Sequence, residues 1–63
     1  MSHIIADESK KVGNQEFQLH IANVGNNVYG SIYRVINGRL VIWNSWDGSS
    51  AEILARRAWN QLP

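Results

Sequence analysis

Asn37 and Gly38 stand between two runs rich in β-branched and aromatic residues, Val28 to Ile36 and Arg39 to Asn44. A two-residue Asn-Gly link needs positive φ at both positions. That is the type I′ turn, whose twist matches that of two paired strands. The dipeptide therefore predicts an antiparallel hairpin and fixes its register. Ile36 faces Arg39, Val35 faces Leu40, Arg34 faces Val41, Tyr33 faces Ile42 and Ile32 faces Trp43, and facing residues share a side of the sheet. One side then carries Tyr29, Tyr33, Val35, Leu40 and Ile42. The other carries Ile32, Arg34, Ile36, Arg39, Val41 and Trp43.

Upstream, Phe17, Leu19 and Ile21 alternate with Gln18, His20 and Ala22, the period of a half-buried strand. Asn23 to Asn27 is a turn by composition. Downstream, Ser49 lies three residues before Glu52, a capping box in which each side chain would satisfy a free backbone donor of a helix's first turn. Ala51, Leu54, Ala55, Ala58, Trp59 and Leu62 fall in one arc at 100° per residue, with Arg56, Arg57 and Asn60 opposite. This predicts an amphipathic helix over 49–62. Residues 7–16 are polar around a Gly-Asn breaker and read as a solvated lead-in or turn, while His3 to Ala6 is either a short fourth edge strand or an arm that folds back as a lid.

The expected fold is α+β: a three-stranded antiparallel sheet over 17–44 packed on one C-terminal helix, with residues 1–16 as lead-in arm, lid or extra edge. Sixty-three residues suffice for one domain. A chain this short buries only about 60% of its unfolded surface, so it needs a staple. With no cysteine, disulfides and cysteine-zinc sites are out. Packing of the aromatics and self-association remain. Cysteine absence fits a reducing, cytoplasmic setting, and neither a signal peptide nor a stretch of about 20 apolar residues is visible. A net charge of +1 is not that of a strongly basic nucleic-acid binder.

Catalytic atom types are present in Ser45, Ser49, Ser50, His20 and Asp47, but no nucleophile elbow or other recognisable spacing joins them. No enzyme activity and no cofactor are expected. His3 and His20 are too far apart in sequence to form a paired-histidine motif. Met1-Ser2-His3 has the spacing of an amino-terminal Cu(II) site, a pattern that also arises by chance, and no metal centre is expected. Gly25 and Gly30 fit no phosphate-binding loop.

The helix has two possible seats. A three-residue loop at Gly25-Asn26-Asn27 sets Leu19 opposite Tyr33 and Phe17 opposite Val35, and the uncharged side carries the helix. That register is favoured. A two-residue loop at Gly25-Asn26 would set Phe17, Leu19 and Ile21 beside Trp43 instead, with the helix there. In the favoured register the helix-free face shows Ile32, Arg34, Ile36, Arg39, Val41 and Trp43, joined by Gln18 and His20. Aromatic and apolar groups ringed by arginine suit a protein interface. The reading is a non-enzymatic interaction module that binds itself, as a homodimer, or a protein partner as a small inhibitor or accessory factor.

Residues 28–62, with an aromatic strand end at Trp43, then Trp46-Asp47 and an alanine-rich helix, also resemble in architecture the plant AP2-type domain and the small amino-terminal domains of some phage integrases. The resemblance implies a helix-free face lying in the major groove through Arg34, Arg39 and Trp43. Two departures are that this face mixes two arginines with four large apolar side chains, and that Gly48-Ser49 lengthens the link to the helix. Nucleic-acid binding is thus the second reading.

Overall fold

In the computed structural model, which describes residues 2–63, four strands follow one another: β1 (Ser2–Val12), β2 (Gln15–Val24), β3 (Asn27–Ile36) and β4 (Arg39–Asp47). They form one antiparallel sheet in the order β1-β2-β3-β4, followed by one helix, α1 (Ala51–Gln61). The α+β class and the Asn37-Gly38 hairpin are as expected. Asn37 and Gly38 both have positive φ, 52° and 76°, as a type I′ turn requires. At Gly13-Asn14 and Gly25-Asn26 positive φ falls on the glycine alone, the sign pattern of a type II′ turn.

Residues 7–16 depart from the sequence reading. They are no lead-in arm: β1 pairs with β2 from Ser2↔Val24 to Val12↔Gln15, interrupted by one bulge between Ile4 and Ala6. Pairing through the backbone does not need apolar side chains, and the Gly13-Asn14 turn closes the hairpin. Glu8 and Lys10 share the helix-bearing side with Ala6. There Lys10 Nζ donates to the Trp59 carbonyl at 2.7 Å and sits 4.8 Å from the Trp59 ring centroid, while Arg56 meets Glu8 at 3.6 Å. A cation on one of the last carbonyls of a helix is favourably placed.

The favoured β2 register is also overturned. Val24 pairs with Asn27 across a two-residue turn, so Leu19 faces Ile32 and Phe17 faces Arg34. The slip of one residue sends every β2 side chain to the other side relative to β3. The helix consequently packs on Phe17, Leu19, Ile21 and Ile32, which with Ala6, Ala55 and Trp59 make the buried core. Leu19 and Ile21 are fully buried. The hairpin register holds from Ile36↔Arg39 to Tyr33↔Ile42. A bulge then makes Trp43 an extra residue, and Ile32 faces Asn44 rather than Trp43.

The helix starts later than the capping box implies. Ser50 is the N-cap, with no side-chain cap bond, and the Ala51 amide donates to the Gly48 carbonyl at 3.1 Å. Glu52 is engaged elsewhere, accepting from Arg56 Nε at 3.2 Å one turn on. The predicted apolar arc is narrower in fact: Ala51, Ala55 and Trp59 are buried, Ala58 and Leu62 are half-buried, and Leu54 is exposed.

Small residues set the helix close to the sheet. A Cβ added to Gly30 would lie 2.8 Å from Ala55 Cβ and 3.2 Å from the Ala51 carbonyl oxygen. Gly30→Ala must therefore push α1 off its seat, an overpacking cost of about 1–3 kcal/mol. The melting temperature should fall by about 4–8 °C per kcal/mol. An unchanged melt by circular dichroism would contradict the close approach of Gly30 and α1.

Candidate interaction surface

The helix runs diagonally over the sheet. Its first turn lies against Gly30 on β3, and its last carbonyls meet Lys10 on β1. Eleven residues at 1.5 Å per residue span about 16 Å, roughly the width of a four-stranded sheet. The β3–β4 hairpin end of that side stays uncovered: Ile36, Val41 and Trp43 are exposed there.

The eight residues expected on one helix-free face divide three ways. Ile32 is 1% exposed and belongs to the core beneath α1. Arg34, Ile36, Arg39, Val41 and Trp43 do form one cluster, but on the helix-bearing side, in the corner the helix does not reach. Gln18 and His20 lie on the opposite face. There they line a shallow concavity of about 360 Å³ together with Asp7, Tyr33 and Leu40. The cause is the single register slip at Gly25-Asn26.

Trp43 is placed by its bulge. Its ring leans across β3 to meet Phe17 edge-on, with centroids 5.4 Å apart and planes at 76°. Phe17 is buried and Trp43 is 54% exposed, so Trp43 roofs one end of the core and shows its outer face to solvent.

Sequence reasoning missed the rest of this surface. Leu40 and Ile42 point to the helix-free face, where the helix was expected to cover them, and are 54% and 56% exposed. Val41, on the other face, is 45% exposed. From Arg39 to Ser45 every residue of β4 is exposed, and β4 is an edge strand. Tyr29, Ile4 and Val24 are further exposed apolar residues of the helix-free face. The signal was present in the run Leu40-Val41-Ile42-Trp43, which is apolar at successive positions. Such a run is apolar on both sides of a strand and needs covering on both.

Charge sorts with the register as well. Among the described residues, the strands' charges on the helix-free face are Lys11 against Asp7, Glu16 and Asp47, while Arg34 and Arg39 lie on the helix-bearing side. The described residues hold no cluster of three or more potential metal ligands. The Met1-Ser2-His3 motif includes Met1, outside the described residues. Among the described residues, no helix is long and apolar enough to cross a membrane. No protein-family model, curated protein or solved structure matches this chain.

Trp43→Ala removes an edge-on aromatic contact and uncovers Phe17, which should cost about 1–2 kcal/mol. At high dilution, where a single chain melts alone, Leu40→Thr and Ile42→Thr should each change stability by less than about 0.5 kcal/mol. Thermal melts of the three variants check the contrast. Equal losses for all three would place Leu40 and Ile42 inside the core and contradict this surface.

Proposed function

We propose that this chain is a non-enzymatic protein-interaction module that recognises its partner through β4 and the open end of the β3–β4 hairpin. One observation carries the reading: Leu40 to Trp43 is an apolar run, exposed on both faces of an edge strand. A monomeric small domain rarely leaves such a segment open without a partner. Half-exposed Trp43 beside Arg34 and Arg39 has the aromatic and arginine composition of an interface anchor. An inhibitor or accessory role is compatible with this geometry.

Charge placement argues against nucleic-acid binding through the helix-free face. That face would bring Asp7, Glu16 and Asp47 to the phosphates, with Lys11 as the cation among its strand residues. Binding driven by phosphate neutralisation needs the opposite balance. The two arginines nominated by the architectural resemblance lie on the wrong side for it.

The test has two arms. Tagged chain is used to capture proteins from nuclease-treated lysate of the cells that produce it, at raised salt. Labelled duplex and single-stranded oligonucleotides are titrated in parallel. Protein capture should survive both treatments and fall at least about tenfold for Leu40→Asp with Ile42→Asp, as expected when a desolvated apolar anchor acquires charge. Arg34→Gln with Arg39→Gln should reduce it less, and oligonucleotide binding should stay weaker than about 10⁻⁶ M, the non-specific range. Tight oligonucleotide binding lost in the arginine double variant and kept in the Asp variant would reverse the assignment.

A further inference from the structure

We infer that the partner seated on β4 is a second copy of this chain, paired antiparallel edge to edge with the two-fold axis at Val41. The inference rests on the protein-interaction reading above and adds the occupant and its register.

The two edges of the sheet are unlike. β1 carries Asp7, Glu8, Lys10 and Lys11, and charges along an edge discourage pairing with another strand. β4 has no charge and no proline between Arg39 and Asp47. Its free side presents unpaired amides and carbonyls between exposed apolar side chains, and those groups are matched by another strand.

Backbone geometry selects the register. The two-residue turn closes on the Ile36–Arg39 pair, so Arg39 and Val41 direct their main-chain groups to β3. Leu40 and Ile42 direct theirs outward. Two copies related by a two-fold axis perpendicular to the sheet satisfy both residues only when Leu40 faces the partner's Ile42 and Ile42 faces the partner's Leu40. Each pair then exchanges two hydrogen bonds, with Val41 facing the partner's Val41 between them. An axis at Ile42 would set Leu40 against Asn44, which lies past the Trp43 bulge and points to the opposite face. An axis at Leu40 would set Ile42 against the turn residue Gly38.

Side chains agree with the register found from the backbone. Leu40 and the partner's Ile42 meet on the helix-free face. On the helix-bearing face Arg39 comes level with the partner's Trp43, a favourable cation–aromatic neighbour. The two copies of Arg39 stand four residues apart along the strands, roughly 13 Å, beyond the screening length of about 8 Å at physiological salt. The Trp43 bulge ends the paired segment, so the sheets overlap only at their hairpin ends and the helices stay apart. Because β1 resists pairing, the assembly closes at two copies and does not grow into a filament.

Sedimentation equilibrium of the intact chain over a concentration series should give twice the 7.1 kDa protomer mass at the upper end. Ile42→Lys should give the protomer mass with an unchanged far-ultraviolet circular dichroism spectrum. The chain lacks cysteine, so single-cysteine variants report the register. Val41→Cys should oxidise to a disulfide dimer at least about tenfold faster than Leu40→Cys or Ile42→Cys, because only the residue on the axis meets its own copy at bonding Cβ spacing. A wild-type chain that stays monomeric throughout overturns self-pairing, while the capture experiment independently decides whether another protein binds this edge. A dimer that cross-links fastest through Leu40→Cys or Ile42→Cys, or persists with Ile42→Lys, overturns this register.

Discussion

The two-residue turn at Gly25-Asn26 is the constraint on which the rest of this structure depends. Positive φ at Gly25 lets the chain reverse in two residues, which puts Val24 against Asn27 and thereby Leu19 against Ile32. The strand period is two, so this choice decides the side of every side chain in β2 relative to β3. It gathers Phe17, Leu19, Ile21 and Ile32 on one face, the apolar surface dense enough to hold α1. It also places Gly30 on that face, and Gly30 is the position that admits Ala51 and Ala55 so closely.

From that seat the helix covers a diagonal and no more. Its far end is held at β1 by Lys10 on the Trp59 carbonyl, with Glu8 and Glu52 flanking Arg56. These are modest attractions; exposed ion pairs contribute about 0–1 kcal/mol each. They set the helix direction more than they stabilise the domain. The consequence is an uncovered hairpin end, where Trp43 shields Phe17 from one side and stays open on the other. A small core with an open end is the physical setting in which a partner strand at β4 adds most.

Legibility followed how local each signal was. Asn37-Gly38 carries its geometry in two adjacent residues, and the hairpin, its first pairs and the amphipathic helix could all be read. The β2 register turned on whether the Gly25 loop held two residues or three, which composition alone leaves open. A stronger cue lies in the turns: Gly13-Asn14, Gly25-Asn26 and Asn37-Gly38 recur every twelve residues, the rhythm of a meander of equal strands. That rhythm would have identified β1 despite its charges and favoured the two-residue loop. Of the candidate site, the grouping of Arg34, Ile36, Arg39 and Val41 on one side of the sheet was legible because it needed only the hairpin, but that the helix shares this side was not. Ile32, Gln18 and His20 were misplaced because they depend on β2. The Trp43 bulge had no local signature, and at the helix start Ser50 competed with the Ser49 capping box as N-cap.

The register itself is open to one direct measurement. In antiparallel pairs, residues that do not exchange hydrogen bonds bring their Cα atoms to about 4.5 Å, close enough for strong Hα–Hα cross-relaxation. Starting from the bonded Val24–Asn27 pair, these positions include Ile21–Gly30, Leu19–Ile32 and Phe17–Arg34. A nuclear Overhauser spectrum in deuterated water should show those three cross-peaks. Cross-peaks linking Leu19 to Tyr33 and Phe17 to Val35 in their place would contradict the account, returning the helix to the other face and β4 to a different surface.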